Sequence, residues 1–128
     1  MKPTIGVFDS GFGGLTVLKA LLEVVPGADY LYFGDTARLP YGSKSVQTVA
    51  RYACEAATFL EEQGADLLVI ACNTATAAAI QQVRSSNPDL PVVGVEPALK
   101  PALALTRTRR IAVLATRGTL ASAKFAAL

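Results

Sequence analysis

The chain has 128 residues, of which 52% are hydrophobic, with 12 basic and 10 acidic side chains and a net charge of +2. That length and apolar content predict one globular domain with a core and exclude a disordered chain. The near-even charge gives no electrostatic footprint for nucleic acid or for an anionic membrane, and the short cluster of Arg107, Arg109 and Arg110 reads as a solvated turn.

Apolar, β-branched runs alternate with longer helical patterns along the chain. The expected strands are 4–8, 30–34, 67–71, 92–95 and 111–115. The expected helices are 14–25, 44–64, 75–86, 97–106 and 119–128. In the second helix Val46, Val49, Ala50, Ala53, Ala57 and Leu60 recur at three- and four-residue spacing and mark a buried stripe. Gly27, Gly64 and Asn87-Pro88 read as punctuation after helices. A βαβαβαβαβα order implies an α/β fold: an open, mostly parallel sheet flanked by helices and joined by right-handed crossovers. The last helix ends in Ala-Ala-Leu without a cap, as a helix cut while still packing would. The chain therefore reads as truncated relative to a longer protein, or as needing a partner on that face.

Three strand ends lead into unusual loops. The first, 7–16, holds Asp9, Ser10 and the glycines at 11, 13 and 14, which allow backbone N–H groups close to a ligand. It competes with a dinucleotide fingerprint, but Thr16 stands where the third glycine would be, and Asp9 would repel a pyrophosphate. The second loop, 33–43, holds Asp35, Arg38, Pro40, Tyr41, Gly42 and Ser43. Gly42 and Ser43 offer N–H groups, Ser43 is also a plain N-cap candidate, Asp35 can pair with Arg38, and Tyr41 fits a core edge as well as a ligand. The third loop places Cys72 at the end of an apolar run, with Asn73 and Thr74 opening an Ala-rich helix. Helix N-termini stabilise anions, and open α/β sheets bind ligands at this edge. Cys54 lies inside the amphipathic helix and reads as core filler, while Thr116 and Thr119 repeat the strand–Thr–helix device.

Two cysteines in such different settings suggest no disulfide framework, so a reducing cytoplasm is the expected location. The first residues run straight into a strand, so no signal peptide is expected, and the 67–71 run is too short to span a bilayer. Histidine is absent, which removes His-based catalysis and His metal sites. No metal and no cofactor are expected. The strand-end motifs hold no lysine for a pyridoxal Schiff base. A thiol, a carboxylate, hydroxyls and backbone donors together suit a small carboxylate. There the thiolate acts as a base for a carbon acid or as a nucleophile.

These motifs resemble the bacterial glutamate racemases of the aspartate/glutamate racemase superfamily. The resemblance rests on Ile5 through Val17, on Phe33-Gly34-Asp35 with Pro40-Tyr41-Gly42, and on Ala71-Cys72-Asn73-Thr74-Ala75-Thr76. Val93-Gly94-Val95-Glu96-Pro97 and Leu114-Ala115-Thr116-Arg117-Gly118-Thr119 continue it in order. It implies a cofactor-independent enzyme that interconverts L- and D-glutamate for peptidoglycan, using two cysteines on opposite faces of the α-carbon. By the same resemblance Cys72 is the first of these and Asp9 assists it. Ser10, Tyr41, Gly42, Ser43, Asn73 and Thr74 become glutamate contacts, joined by Thr116 and Thr119 through the carboxylates.

The departure is at the far end. Members have a second, pseudo-symmetric domain whose Gly-Cys-Thr-His motif supplies the other cysteine, and this chain has no such motif. Residues 1–97 then read as the first racemase domain and 98–128 as the opening strand and helix of the second. A face-to-face homodimer is one source of a second thiol. Two other readings stay open: an aspartate or hydantoin racemase, and a non-catalytic fragment with half a pocket.

Overall fold

A computed structural model of the chain describes residues 2–128. Four strands form one sheet: β1 (Thr4–Asp9), β2 (Asp29–Gly34), β3 (Leu67–Ile70) and β4 (Val92–Gly94), all parallel, in the order β2-β1-β3-β4. Between them lie α1 (Leu15–Val24), α2 (Val46–Glu62) and α3 (Asn73–Ser86). After β4 come α4 (Leu99–Leu105), α5 (Arg117–Leu120) and α6 (Ala123–Ala126). The open, parallel α/β sheet expected from the alternation is the fold observed.

The strand order decides which face each helix covers. The β1-to-β2 step runs one way across the sheet, and the next two steps run the other way. Right-handed crossovers therefore put α1 on one face and α2 and α3 together on the opposite face. Side chains follow the two-residue period of β1. Ile5 and Val7 pack with Val69, Ala71 and the inner side of α1, while Phe8 packs with Leu68, Ile70 and the buried stripe of α2 and α3. That stripe is Val49, Ala50, Ala53, Ala56, Ala57 and Leu60 on α2, close to the pattern read from the sequence. Small alanines let the two helices sit tightly together, and Gly64, at φ +98°, ends α2 in a conformation that suits glycine.

Several local expectations change. Residues 111–115 do not form a fifth strand: they run without regular structure, with Leu114 99% exposed. Ile-Ala-Val-Leu-Ala has strand composition, but a strand also needs a paired neighbour, and composition does not supply one. The single helix expected over 119–128 is instead the two short helices α5 and α6. Ser122 interrupts them, and its Oγ caps α6 by accepting from the Phe125 N–H at 3.1 Å. Ser43 is not the cap of α2. It lies in a 3-10 turn over Tyr41–Ser43, and Ser45 caps α2 by accepting the Thr48 N–H. Cys54 is half-buried rather than enclosed and lines a shallow groove between α2 and α3.

Candidate active site

The order β2-β1-β3-β4 reverses direction between β1 and β3, so the crevice of the sheet opens at the carboxyl ends of those two strands. Asp9 is the last residue of β1, and Cys72 follows β3 by two residues. Both line one cleft of about 630 Å³, with Asn73, Thr74, Thr116 and Thr119. Its far wall is the extended stretch 111–115, so the residues that fail to join the sheet still shape the crevice. No lysine or arginine lines it. Donors for an anion there are hydroxyls, the Asn73 amide and backbone N–H groups.

Cys72 is the N-cap of α3, which starts two residues earlier than expected. Its Sγ accepts the Ala75 N–H at 3.3 Å, and its S–H points to Ser10 Oγ at 3.4 Å. A thiol in the cap position replaces the usual hydroxyl or carboxylate. It is 8% exposed and sits where the helix N–H groups favour negative charge.

Asp9 is 4% exposed. Its Oδ2 accepts from the Gly14 N–H at 2.8 Å, the Gly11 N–H at 3.2 Å and the Tyr32 hydroxyl at 3.5 Å. The glycine loop thus wraps the carboxylate at the start of α1. A Cβ on Gly14 would lie 2.6 Å from Asp9 Cβ, so only glycine lets the helix start this close. Oδ1 takes no hydrogen bond from the described residues.

Tyr32 escaped the sequence reading. It is paired in register with Val7, so its ring shares the face of Asp9, a relation visible only once β1 and β2 are aligned. Burial, then the charge and hydrogen bond of Asp9, push its hydroxyl from 10.0 to about 12. The folded state therefore resists ionisation of Tyr32. The stability this contributes is complete below pH 10 and is lost as pH rises through about 12. Tyr32→Phe should accordingly show a smaller loss of urea midpoint than the parent chain between about pH 8 and pH 11. An identical alkaline loss in both would contradict the raised Tyr32 hydroxyl.

The second loop is fixed from below. Tyr41 is buried; its hydroxyl donates to Asp35 Oδ2, which also accepts from Arg38 Nε at 2.7 Å. The Asp35–Arg38 pair weighed from the sequence is therefore present. Tyr41 packs against Phe8 and Tyr52 and its side chain does not line the main cleft. Gly42 reaches the site through packing: a Cβ there would lie 2.8 Å from Thr116 Cγ2. Thr116 Oγ1 in turn shares hydrogen bonds with Thr74 Oγ1 at 2.8 Å and Thr119 Oγ1 at 3.1 Å. Ser43 is exposed, bonds weakly to the Pro40 carbonyl at 3.5 Å, and lies outside the cleft lining. Of the residues read from the sequence, Asp9, Ser10, Cys72, Asn73, Thr74, Thr116 and Thr119 are brought together, Gly42 touches the group, and Ser43 stands apart. No cluster of three or more His, Cys, Asp or Glu that could hold a metal occurs among the described residues. No helix among them is long and apolar enough to cross a membrane.

A parallel α/β sheet with a thiol, a carboxylate and a hydroxyl cluster at its switch point gathers the kinds of group that acid–base or nucleophilic chemistry on a small molecule uses. The chain belongs to the Asp/Glu/hydantoin racemase family, whose sequence profile matches residues 5–127. It is 58% identical over 122 residues to the glutamate racemase of Koribacter versatilis, covering 94% of this chain and 42% of that protein. Escherichia coli glutamate racemase, solved with L-glutamate and the activator UDP-MurNAc-Ala, superposes with a TM-score of 0.91 at 38% identity, over 99% of this chain and 48% of that one. The Francisella tularensis enzyme, solved with D-glutamate, gives 0.81 at 40% identity, over 98% and 47%. The chain thus spans about half the length of the curated relatives it matches.

Proposed function

We propose that the chain is one thiol-bearing half of a glutamate racemase that interconverts L- and D-glutamate without a cofactor and supplies D-glutamate for peptidoglycan. The observation that carries this is Cys72, the N-cap of α3, in the same cleft as Asp9 at the switch point of the sheet. The glutamate racemases it resembles, two of them solved with a glutamate enantiomer, support the substrate.

The Cys72 thiolate takes the α-proton onto sulfur, and the electron pair of the broken C–H bond is left on the α-carbon, delocalised into the adjoining carboxylate. Asp9 assists, its Oδ1 being the oxygen left for the thiol or the substrate ammonium once Oδ2 holds the glycine loop. Ser10, Asn73, Thr74, Thr116 and Thr119 hold the carboxylates, with the Tyr41–Gly42 turn behind them. Inversion needs a proton delivered to the opposite face. Cys54, the other cysteine, lies on α2 in a separate groove and does not serve. The second thiol comes from sequence beyond these 128 residues or from a second copy in a homodimer. On this reading residues 1–97 are the first domain and 98–128 open the second. The two unpaired thiols fit a cytoplasmic enzyme.

The test is solvent exchange in D₂O with each glutamate enantiomer, following α-deuterium and optical rotation together. The chain alone should exchange one enantiomer and leave its rotation unchanged. A protein that carries the remaining half should racemise both. Preference for aspartate or a hydantoin would overturn the substrate. Absence of exchange in the complete protein would overturn the reaction.

A further inference from the structure

On the racemase reading, we propose that Arg38 is a positioning residue that holds the Tyr41–Gly42 turn against the threonine side of the cleft. Arg38 does not line the cleft, yet its guanidinium joins three separate parts of the fold. Nε donates to Asp35 at the exit of β2 at 2.7 Å. Nη1 donates to Glu55 on α2, also at 2.7 Å. Cζ of the guanidinium lies over the Tyr52 ring, 3.8 Å from its centroid. Asp35 is 5% exposed, and its Oδ2 carries both the Arg38 bond and the hydroxyl of Tyr41. Tyr52 also packs on Tyr41, ring to ring, at 5.5 Å. Every polar and aromatic partner of the Tyr41 side chain is therefore one step from Arg38, apart from Phe8.

Tyr41 passes this position on through the next residue. Gly42 fits so closely under Thr116 that a Cβ would come within 2.8 Å of it, and Thr116 is bonded to Thr74 and Thr119. Loss of the guanidinium would leave Asp35 a buried carboxylate without its cation, and such a group regains water by moving. The turn that hangs from it would move with it. Lysine carries the charge but lacks the planar fork that lets one side chain bond two acids while resting over a ring.

The test uses the complete racemase containing this domain. Arg38→Met keeps an unbranched stem over Tyr52 and removes both polar bonds. KM for glutamate should rise about tenfold while kcat stays within about twofold, the signature of lost uniform binding. Arg38→Lys should fall between the two and serves alone if the methionine variant does not fold. In the same proteins, amide exchange at Gly42, Ser43 and Lys44 should quicken while Ala79 and Ile80 inside α3 stay protected. An unchanged KM, or faster exchange spread evenly over sheet and helices, would overturn the proposal. Should the parent enzyme fail to turn over glutamate, the racemase reading falls, and the exchange measurement still decides the role of Arg38.

Discussion

Cys72→Ala is expected to remove α-proton exchange with glutamate by about 10⁴-fold, the upper end of what one positioned acid–base group contributes, while leaving the fold in place. The fold survives because Cys72 contributes a small buried side chain and a single cap bond to Ala75. Loss of a cap costs about 1 kcal/mol. Circular dichroism and a melting curve check the fold, and D₂O exchange checks the chemistry. Alkylation supplies the complementary measurement. Bound glutamate should slow modification of Cys72, which lines the cleft, and leave Cys54 unaffected. Burial pushes the Cys54 thiol up from 9.0, so its thiolate, the reactive form, is scarce at neutral pH. Its labelling should climb only in alkaline solution. Retained exchange in Cys72→Ala, or glutamate protection of Cys54 instead, would remove the thiol from the mechanism.

Asp9→Asn is expected to lower turnover in the complete enzyme by roughly 10²- to 10⁴-fold. The substitution keeps the shape of the side chain and removes its charge. Asn can still present one oxygen to the Gly11 and Gly14 N–H groups, so the loop keeps its form. What it lacks is a second acceptor oxygen for the substrate ammonium or the thiol. Normal kcat with a lowered melting temperature would show that Asp9 only closes the glycine loop.

Most of the sheet was legible along the chain because it rests on local periodicity. The runs 4–8 and 67–71 are dense in apolar and β-branched side chains and 30–34 in aromatic ones, and helices between them make parallel crossovers the economical connection. The glycine loop after Asp9, the thiol after β3 and the threonines near the C-terminal end were equally visible, since each is a polar break directly after an apolar run. Strand ends are where α/β folds gather ligand groups. Asp9 and Cys72 meet once β1 and β3 are neighbours, and the threonines reach them through the Thr116–Thr74 hydrogen bond.

What the residues could not announce depends on partners far away in the chain. Whether 111–115 joins a sheet depends on a free edge beside it, and here it lines the cleft instead. Tyr32 meets Asp9 because β2 pairs with β1 in a particular register, across more than twenty residues of chain. Tyr41 was open to two readings, core or ligand, and packing puts its side chain in the core, with Gly42 beside it against Thr116. Ser43 and Ser45 offer the same cap chemistry, and the geometry of the turn at 41–43 selected Ser45. The sequence by itself determined the alternation of elements, the buried stripes and the inventory of reactive groups, because these depend on side chains a few residues apart. Tertiary structure alone decided register, burial and which oxygen of which acid remains available, because hydrogen bonds and close packing are settled between segments that only folding brings into contact.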